Sequence, residues 1–287
     1  MAIGTTRSKR RLGKYIAPIL KRSGFSPDDV AREVRCSKQS VYRLMSGDSL
    51  PRLHLLLAIL SAIDVTEDER ARALKLWDIA DADKTVVQFA DELPDRYMRF
   101  RLDEADAVRE RSLDRIIVPG LLQTIEYAAE LNRSTRQLLR RDGWEERAVS
   151  ERRDRQEMVL RKEDPLHIHA LIDETALRRI IGSRGVMIDQ LDHLIEMTRK
   201  PNVTIQVLPL DLCAPGPYSG TMILLSYPES DEPDSVYVES MAGGETIGDD
   251  AVVATLSKVW DDIAAAAPTP QKSTKIIKAV RGEHAEQ

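Results

Sequence analysis

Residues 25–49 read FSPDDVAREVRCSKQSVYRLMSGDS. Ser26 is a natural N-cap, Pro27 suits the first helical position, and Asp28 and Asp29 suit the positive end of a helix. Val30, Ala31 and Val34 give that helix an apolar side, and the pattern breaks at Arg35–Cys36. Ser37 then caps a second helix, in which Val41, Leu44 and Met45 recur at helical spacing before Gly47 closes it. Two short helices joined by a tight turn make a helix-turn-helix. Small Ala31 lets the two approach, Val41 fills the corner, and Cys36 reads as a buried turn residue. The polar face left over is Lys38, Gln39, Ser40 and Arg43.

Working outward, Leu12, Tyr15, Ile16, Ile19 and Leu20 predict a preceding helix, which Pro18 should kink because it lacks the ladder N–H. The first ten residues, with RSKRR at 7–11, read as a mobile basic arm over 1–10. Downstream, RLHLLLAILSAI (52–63) and EDERARALKLWDIADA (67–82, capped by Thr66) complete five helices over residues 11–82. From about residue 85 the texture changes, with a junction near DADKTVVQF. Strand-like runs stand at 112–118, 166–173, 203–209, 221–227 and 235–240, the last two reading as a hairpin. Helical patterns lie between them at 120–141, 144–162, 174–181 and 185–199, followed by one at 249–267. This mixture predicts an α+β domain over 85–267 with a mostly antiparallel sheet, then a short helical or disordered tail over 268–287.

Charge is divided along the chain. Residues 1–60 hold 12 Lys/Arg against 4 Asp/Glu, a surplus of +8, while the other 227 residues hold 30 against 43, or −13. A basic module on an acidic body points to a polyanion as partner of the first. The apolar runs are too short for a membrane span, and the opening residues do not read as a secretory leader. Cys36 and Cys213 form no CxxC pair and suggest neither zinc nor a disulfide, so a cytoplasmic protein is expected.

The stretch LGKYIAPILKRSGFSPDDVAREVRCSKQSVYRLMSGDSLP resembles the five-helix DNA-binding domains of the λ-repressor/Cro (XRE) class. Further on, IIVPGLLQTIEYA, RRDRQEMV, LIDETALRRIIG, VMIDQLDHLIEM and NVTIQVLP resemble the C-terminal domain of WhiJ-like actinobacterial regulators. The resemblance implies a transcriptional regulator whose large C-terminal domain has antitoxin-like associations and works with a small protein encoded nearby. Three positions depart from the family pattern: Pro18 replaces an ordinary helix former, Leu20 a usual Arg, and Arg35 a usual turn Gly. A non-Gly residue in a left-handed turn costs on the order of 1 kcal/mol.

In such a frame Lys38, Gln39, Ser40 and Arg43 are expected to meet base edges in the major groove of double-stranded DNA. Arg35, Tyr42, Ser46 and Arg52, with Arg10 and Arg11 of the arm, are expected on the phosphate backbone. Polarity alone would equally describe a solvated helix face; fold, charge and placement together favour DNA. A roughly palindromic operator and a homodimer follow from the few base pairs one such unit can read.

Elsewhere the motifs are bland. His167 and His169 share a strand face but lack a third ligand, and are read as two exposed histidines with no metal. Asp173 and Glu174 read as a helix cap rather than a catalytic pair. Ser219 lacks the GxSxG frame, Cys213 lacks a positioned His, and MAGGETIG has the wrong spacing for a phosphate loop. Loop 209–220 reads first as a strand connection, and is where a partner contact would be sought. The expectation is a DNA-binding regulator, not an enzyme, with no cofactor. Its C-terminal domain would dimerise or bind a small partner protein or ligand. The alternative is an antitoxin-like interaction protein that binds DNA for autoregulation.

Overall fold

The computed structural model describes residues 6–82, 95–135, 144–212, 220–228, 234–240 and 243–286. The chain divides into two compact units, Met1–Asp106 and Ala107–Gln287.

The first unit is all-helical: α1 (Arg7–Ser23), α2 (Pro27–Glu33), α3 (Lys38–Ser46), α4 (Leu53–Ala62), α5 (Glu67–Ala82) and α6 (Asp95–Asp106). Its core gathers Leu12, Ile16, Ile19 and Leu20 from α1, Val30 and Ala31 from α2, Val41 and Leu44 from α3, and Leu56, Ile59 and Leu60 from α4. Burying each large apolar side chain is worth about 1.5–3 kcal/mol, which holds together helices too short to stand alone. The caps are made as the sequence suggests. Ser26 Oγ accepts from Asp29 N while Asp29 reaches back to Ser26 N, and this bonding by Ser26 holds the Asp29 carboxyl below its usual range. Ser37 Oγ accepts from Ser40 N, and Thr66 and Glu69 form a second reciprocal pair.

Helix α1 continues through Pro18, which sits on its exposed side where water can take the carbonyl that proline leaves unbonded. It differs from the sequence reading at its start: it begins at Arg7, so Arg7 to Arg10 are helical and not an arm. The physical reason is α6, an element the apolar spacing did not isolate, whose carboxylates engage these arginines.

The second unit is built on a six-stranded mixed sheet in the order β3-β2-β1-β4-β5-β6. Its strands are β1 (Arg109–Asp114), β2 (His167–Asp173), β3 (Val203–Leu208), β4 (Thr221–Ser226), β5 (Ser235–Ser240) and β6 (Gly243–Ile247). β1 pairs in parallel with β2 (Leu113 opposite Leu171) and β2 with β3, while β1/β4, β4/β5 and β5/β6 are antiparallel. A 3-10 turn at Gly120–Leu122, α7 (Ile125–Thr135) and α8 (Trp144–Leu160) join β1 to β2; α9 (Glu174–Arg178) and α10 (Arg184–Met197) join β2 to β3. The chain ends with α11 (Asp250–Ala266) and α12 (Pro270–Glu286).

The first strand lies at 109–114 and not 112–118, because Glu110 and Ser112 are buried inside while Ile116 stands exposed in the connection that follows. The expected tail is a helix of the domain: Ile277 and Val280 are buried, and Ser273 Oγ accepts from Val207 N on the edge strand β3. The parallel strands are covered on both faces, so burial on β2 and β3 is nearly continuous and not alternating. On one face Leu113, Leu171, Leu224 and Val236 meet Val253, Trp260 and Ile263 of α11. His169 therefore is not exposed. Its Nε2 lies 2.6 Å from Gln206 Oε1 and its ring stands edge-on to Trp260, where burial lowers its basicity. Among the described residues no three His, Cys, Asp or Glu side chains gather to hold a metal. The junction residues 83–94 and Tyr218, Ser219 and Cys213 of loop 209–220 lie outside the described residues.

Candidate nucleic-acid interface

The geometry of α3 follows from its two capped ends. Ser37 anchors the first turn, and Gly47, at φ +75, ends the helix in the left-handed conformation. Gly47 also permits close approach: a Cβ there would fall 2.5 Å from Arg10 Cα. Gly13 is equally constrained, since its Cβ would lie 2.5 Å from Leu44 O. The end of α3 thus rests directly on the α1 backbone, with Val41 and Leu44 fully buried beneath it. With that side fixed, the helical period turns Lys38, Gln39, Tyr42, Arg43 and Ser46 outward together, all of them exposed. Tyr42 keeps 53% of its surface.

Several expected residues have partners inside the unit. The Lys38 ammonium pairs with Asp28 of α2, an exposed contact across the turn that gapped apolar spacing does not reveal. Ser40 is half-buried, its hydroxyl 2.8 Å from Ser37 Oγ, so it belongs to the cap as much as to the surface. Ser46 Oγ donates to Asp48 Oδ2 at 2.7 Å. Arg52 stands exposed at the N-cap of α4, just beyond the end of α3. Arg35 is exposed and holds φ 53, the left-handed conformation expected where the family pattern has glycine. The turn is fixed by Cys36 N donating to Ala31 O at 2.9 Å. Cys36 itself is half-buried, and burial pushes its thiol up, keeping it neutral.

The N-terminal basic run is arranged differently from expectation. Arg11 is half-buried. The Arg10 guanidinium pairs with Asp103 and Arg7 Nε donates to Asp106 Oδ2 at 3.4 Å, both acids on α6. Sequence reasoning missed these two carboxylates. Their signal is the acidic run RLDEAD at 101–106, placed far from the arginines in sequence.

In the second unit two acidic residues serve the helix that follows β2. Asp173 caps α9 by accepting from Thr175 N, and Glu174 ties Arg178 and Leu210 N together. Asp114, at the end of β1, is pushed up to about 7, chiefly by burial and further by Glu239, against the opposing influence of Ser112, Thr221 and Arg155. No helix among the described residues is long and apolar enough to cross a membrane.

Comparison with known families gives two matches. A model described as a helix-turn-helix domain matches residues 11–73, enclosing α3 and its surroundings. A model described as a domain of unknown function, DUF5753, matches residues 97–279 and begins within α6. Neither curated proteins nor solved structures provide a match.

Proposed function

The chain belongs to the DUF5753 family, with a helix-turn-helix unit ahead of the shared domain, and on that basis we propose that it is a sequence-specific DNA-binding transcriptional regulator. One observation carries the reading. The exposed face of α3, with Lys38, Gln39, Tyr42 and Arg43 turned outward over a buried Val41 and Leu44, belongs to a segment with a charge of +8 over residues 1–60. Lys38 and Arg43 suit the acceptor edge of guanine and Gln39 the edge of adenine, with Ser40 beside them at the helix start. Arg35, Tyr42, Ser46, Arg52 and Arg11 suit phosphates, which orient the protein without reading sequence. Asp28 holds Lys38 in the free protein and would release it to a base. The protein acts by binding, in the cytoplasm, without catalysis, cofactor or metal.

The larger unit dimerises or takes a regulatory partner, a small protein or ligand. The larger unit is itself acidic, with a charge of −7 over residues 107–287, and this supports a second reading. In it this unit is antitoxin-like, neutralising a small basic or amphipathic protein while DNA binding serves autoregulation.

Selection of duplexes from a random pool, followed by footprinting, tests the first reading. Lys38→Ala, Gln39→Ala and Arg43→Ala should each cost about 1–3 kcal/mol on the selected site and relax preference at one base position. Arg52→Ala should weaken all duplexes alike and flatten the salt dependence. Retention of full site preference by all three α3 variants would remove α3 as the reader.

A further inference from the structure

The first turn of α1 is poorly matched to its own sequence. It carries Arg7, Lys9 and Arg10, with Arg11 just beyond, and no acidic residue, at the helix end where the peptide dipoles already concentrate positive charge. The compensation comes from α6. Asp103 pairs with Arg10 and Asp106 with Arg7, and the Asp103 side chain retains only 1% of its surface. Charge bookkeeping along the chain agrees. Residues 61–106 hold 7 Lys/Arg against 13 Asp/Glu, so the +8 of residues 1–60 falls to +2 for the whole first unit.

Those arginines lie beside the DNA-facing end of the unit. Arg10 Cα and Cγ form the seat of Gly47, the residue that ends α3, and Ser46 and Arg52, read above as meeting phosphates, lie to either side of it in sequence. Arg7 lies one helical turn before Arg10, on the same side of α1. We propose that α6 is an intramolecular acidic clamp that occupies Arg7 and Arg10 and withholds them from the DNA backbone, so that release of α6 raises affinity for any duplex. The proposal rests on the DNA-binding reading and adds its control.

The clamp is placed to receive a signal. α6 folds with the first unit, yet residues 97–106 belong to the DUF5753 match, and the chain enters β1 only three residues beyond Asp106. An event in the larger unit that draws on this segment would therefore be felt at Arg7 and Arg10. Burial, opposed by Arg10, pushes the Asp103 carboxyl up to about 6, and Asp106 and Arg7 are the other charges facing it. Arg101 and Glu104, both buried, pair with each other on the same helix.

The test uses the full chain and a random-sequence duplex. Asp103→Asn/Asp106→Asn should bind several-fold more tightly at low salt than the unaltered protein. Two recovered phosphate contacts should make the slope of log K against log salt more negative by about 1.8. The gain should vanish when Arg7→Ala/Arg10→Ala is added. That arm matters because loss of two negative charges anywhere would favour DNA to some degree, and a gain that survives without the arginines overturns the clamp. Unchanged affinity and slope overturn it as well. Circular dichroism establishes that each variant is folded; Asp106→Asn alone, at the more accessible pair, gives half the slope change if the double variant unfolds. An unaltered protein that footprints an operator while the carboxamide variants behave like it removes only the clamp. Failure of every form to bind any duplex removes the DNA-binding reading itself.

Discussion

Two residues hold conformations or charges that their neighbours impose. Arg35 sits at φ 53, where a Cβ crowds the following carbonyl at about 1–2 kcal/mol, while glycine would lose about 0.5–1 kcal/mol of chain entropy. Arg35→Gly should therefore raise thermal stability by about 0.5–1 kcal/mol in chemical or thermal melts, while weakening DNA binding if the guanidinium meets a phosphate. A melt below that of the unaltered protein would show that the guanidinium contributes to the fold. Asp114 is the second case. Its folded pKa of about 7 lies above the ordinary 3.8, so the folded protein binds the extra proton between those values. The stability this provides is whole below about pH 4 and is lost as pH rises through 7, each unit being worth about 1.4 kcal/mol. Asp114→Asn should melt above the unaltered protein at pH 8 and together with it near pH 4. A lower melt at pH 8 would mean that attraction to Arg155 outweighs burial. Of these two, Arg35 was legible in the sequence, because a helix-turn-helix fixes the backbone its corner must adopt. Asp114 was not, since nothing local announces that a carboxylate ending a strand will be enclosed by residues such as Thr221, Glu239 and Arg155 from distant elements.

At the scale of elements, legibility followed locality. The boundaries of α2, α3 and α5 could be read because Ser26, Ser37, Gly47 and Thr66 each write a start or stop within four residues. The same reading found five of the six strands but displaced β1, whose buried Glu110 and Ser112 break the apolar signal. It passed over β6, where Gly243 and Gly244 give almost no strand preference. It also took α12 for a tail, because APTP looks like an exit from the fold and the helix beyond it is polar overall. Tertiary contact makes α12 structural. Ser273 serves Val207 N on the sheet edge, His284 Nε2 lies 2.9 Å from Leu177 O, and Arg281 pairs with Asp192 of α10. Ending the chain at residue 268 would bare Ile277's and Val280's partners and an edge strand together. Each lost large apolar contact is worth about 2–5 kcal/mol, against a typical total stability of about 5–15 kcal/mol. The truncated protein should aggregate, or show a separate early transition for the second unit by calorimetry, while the melt of the first unit stays unchanged. A truncated chain with both transitions intact would make α12 an appendage after all.

Across the whole molecule, charge and size together constrain how the two units share the work. The second unit holds 23 Lys/Arg against 30 Asp/Glu, or −7, and should be held off phosphates by like charge. The first unit carries every residue assigned to DNA, with α6 still clamped. Fragment 1–106 should therefore retain the operator's base preferences, and fragment 107–287 should shift no duplex in a gel assay. Yet a single helix-turn-helix reads only a few base pairs, too little to select one site among a genome's competing sequences. The full chain should meet this by pairing, two copies on half-sites about one or two helical turns apart. The second unit, held off phosphates by its charge, should be the part that holds the copies together. Fragment 1–106 should then bind one half-site at a time, with an affinity independent of half-site spacing. The full chain should lose affinity when about five base pairs are inserted between the half-sites, since half a helical turn places them on opposite faces of the duplex. Light scattering of the full-length complex should count two chains per operator. A count of one, or indifference of the full chain to the insertion, would refute the dimer and leave the second unit to partner binding alone.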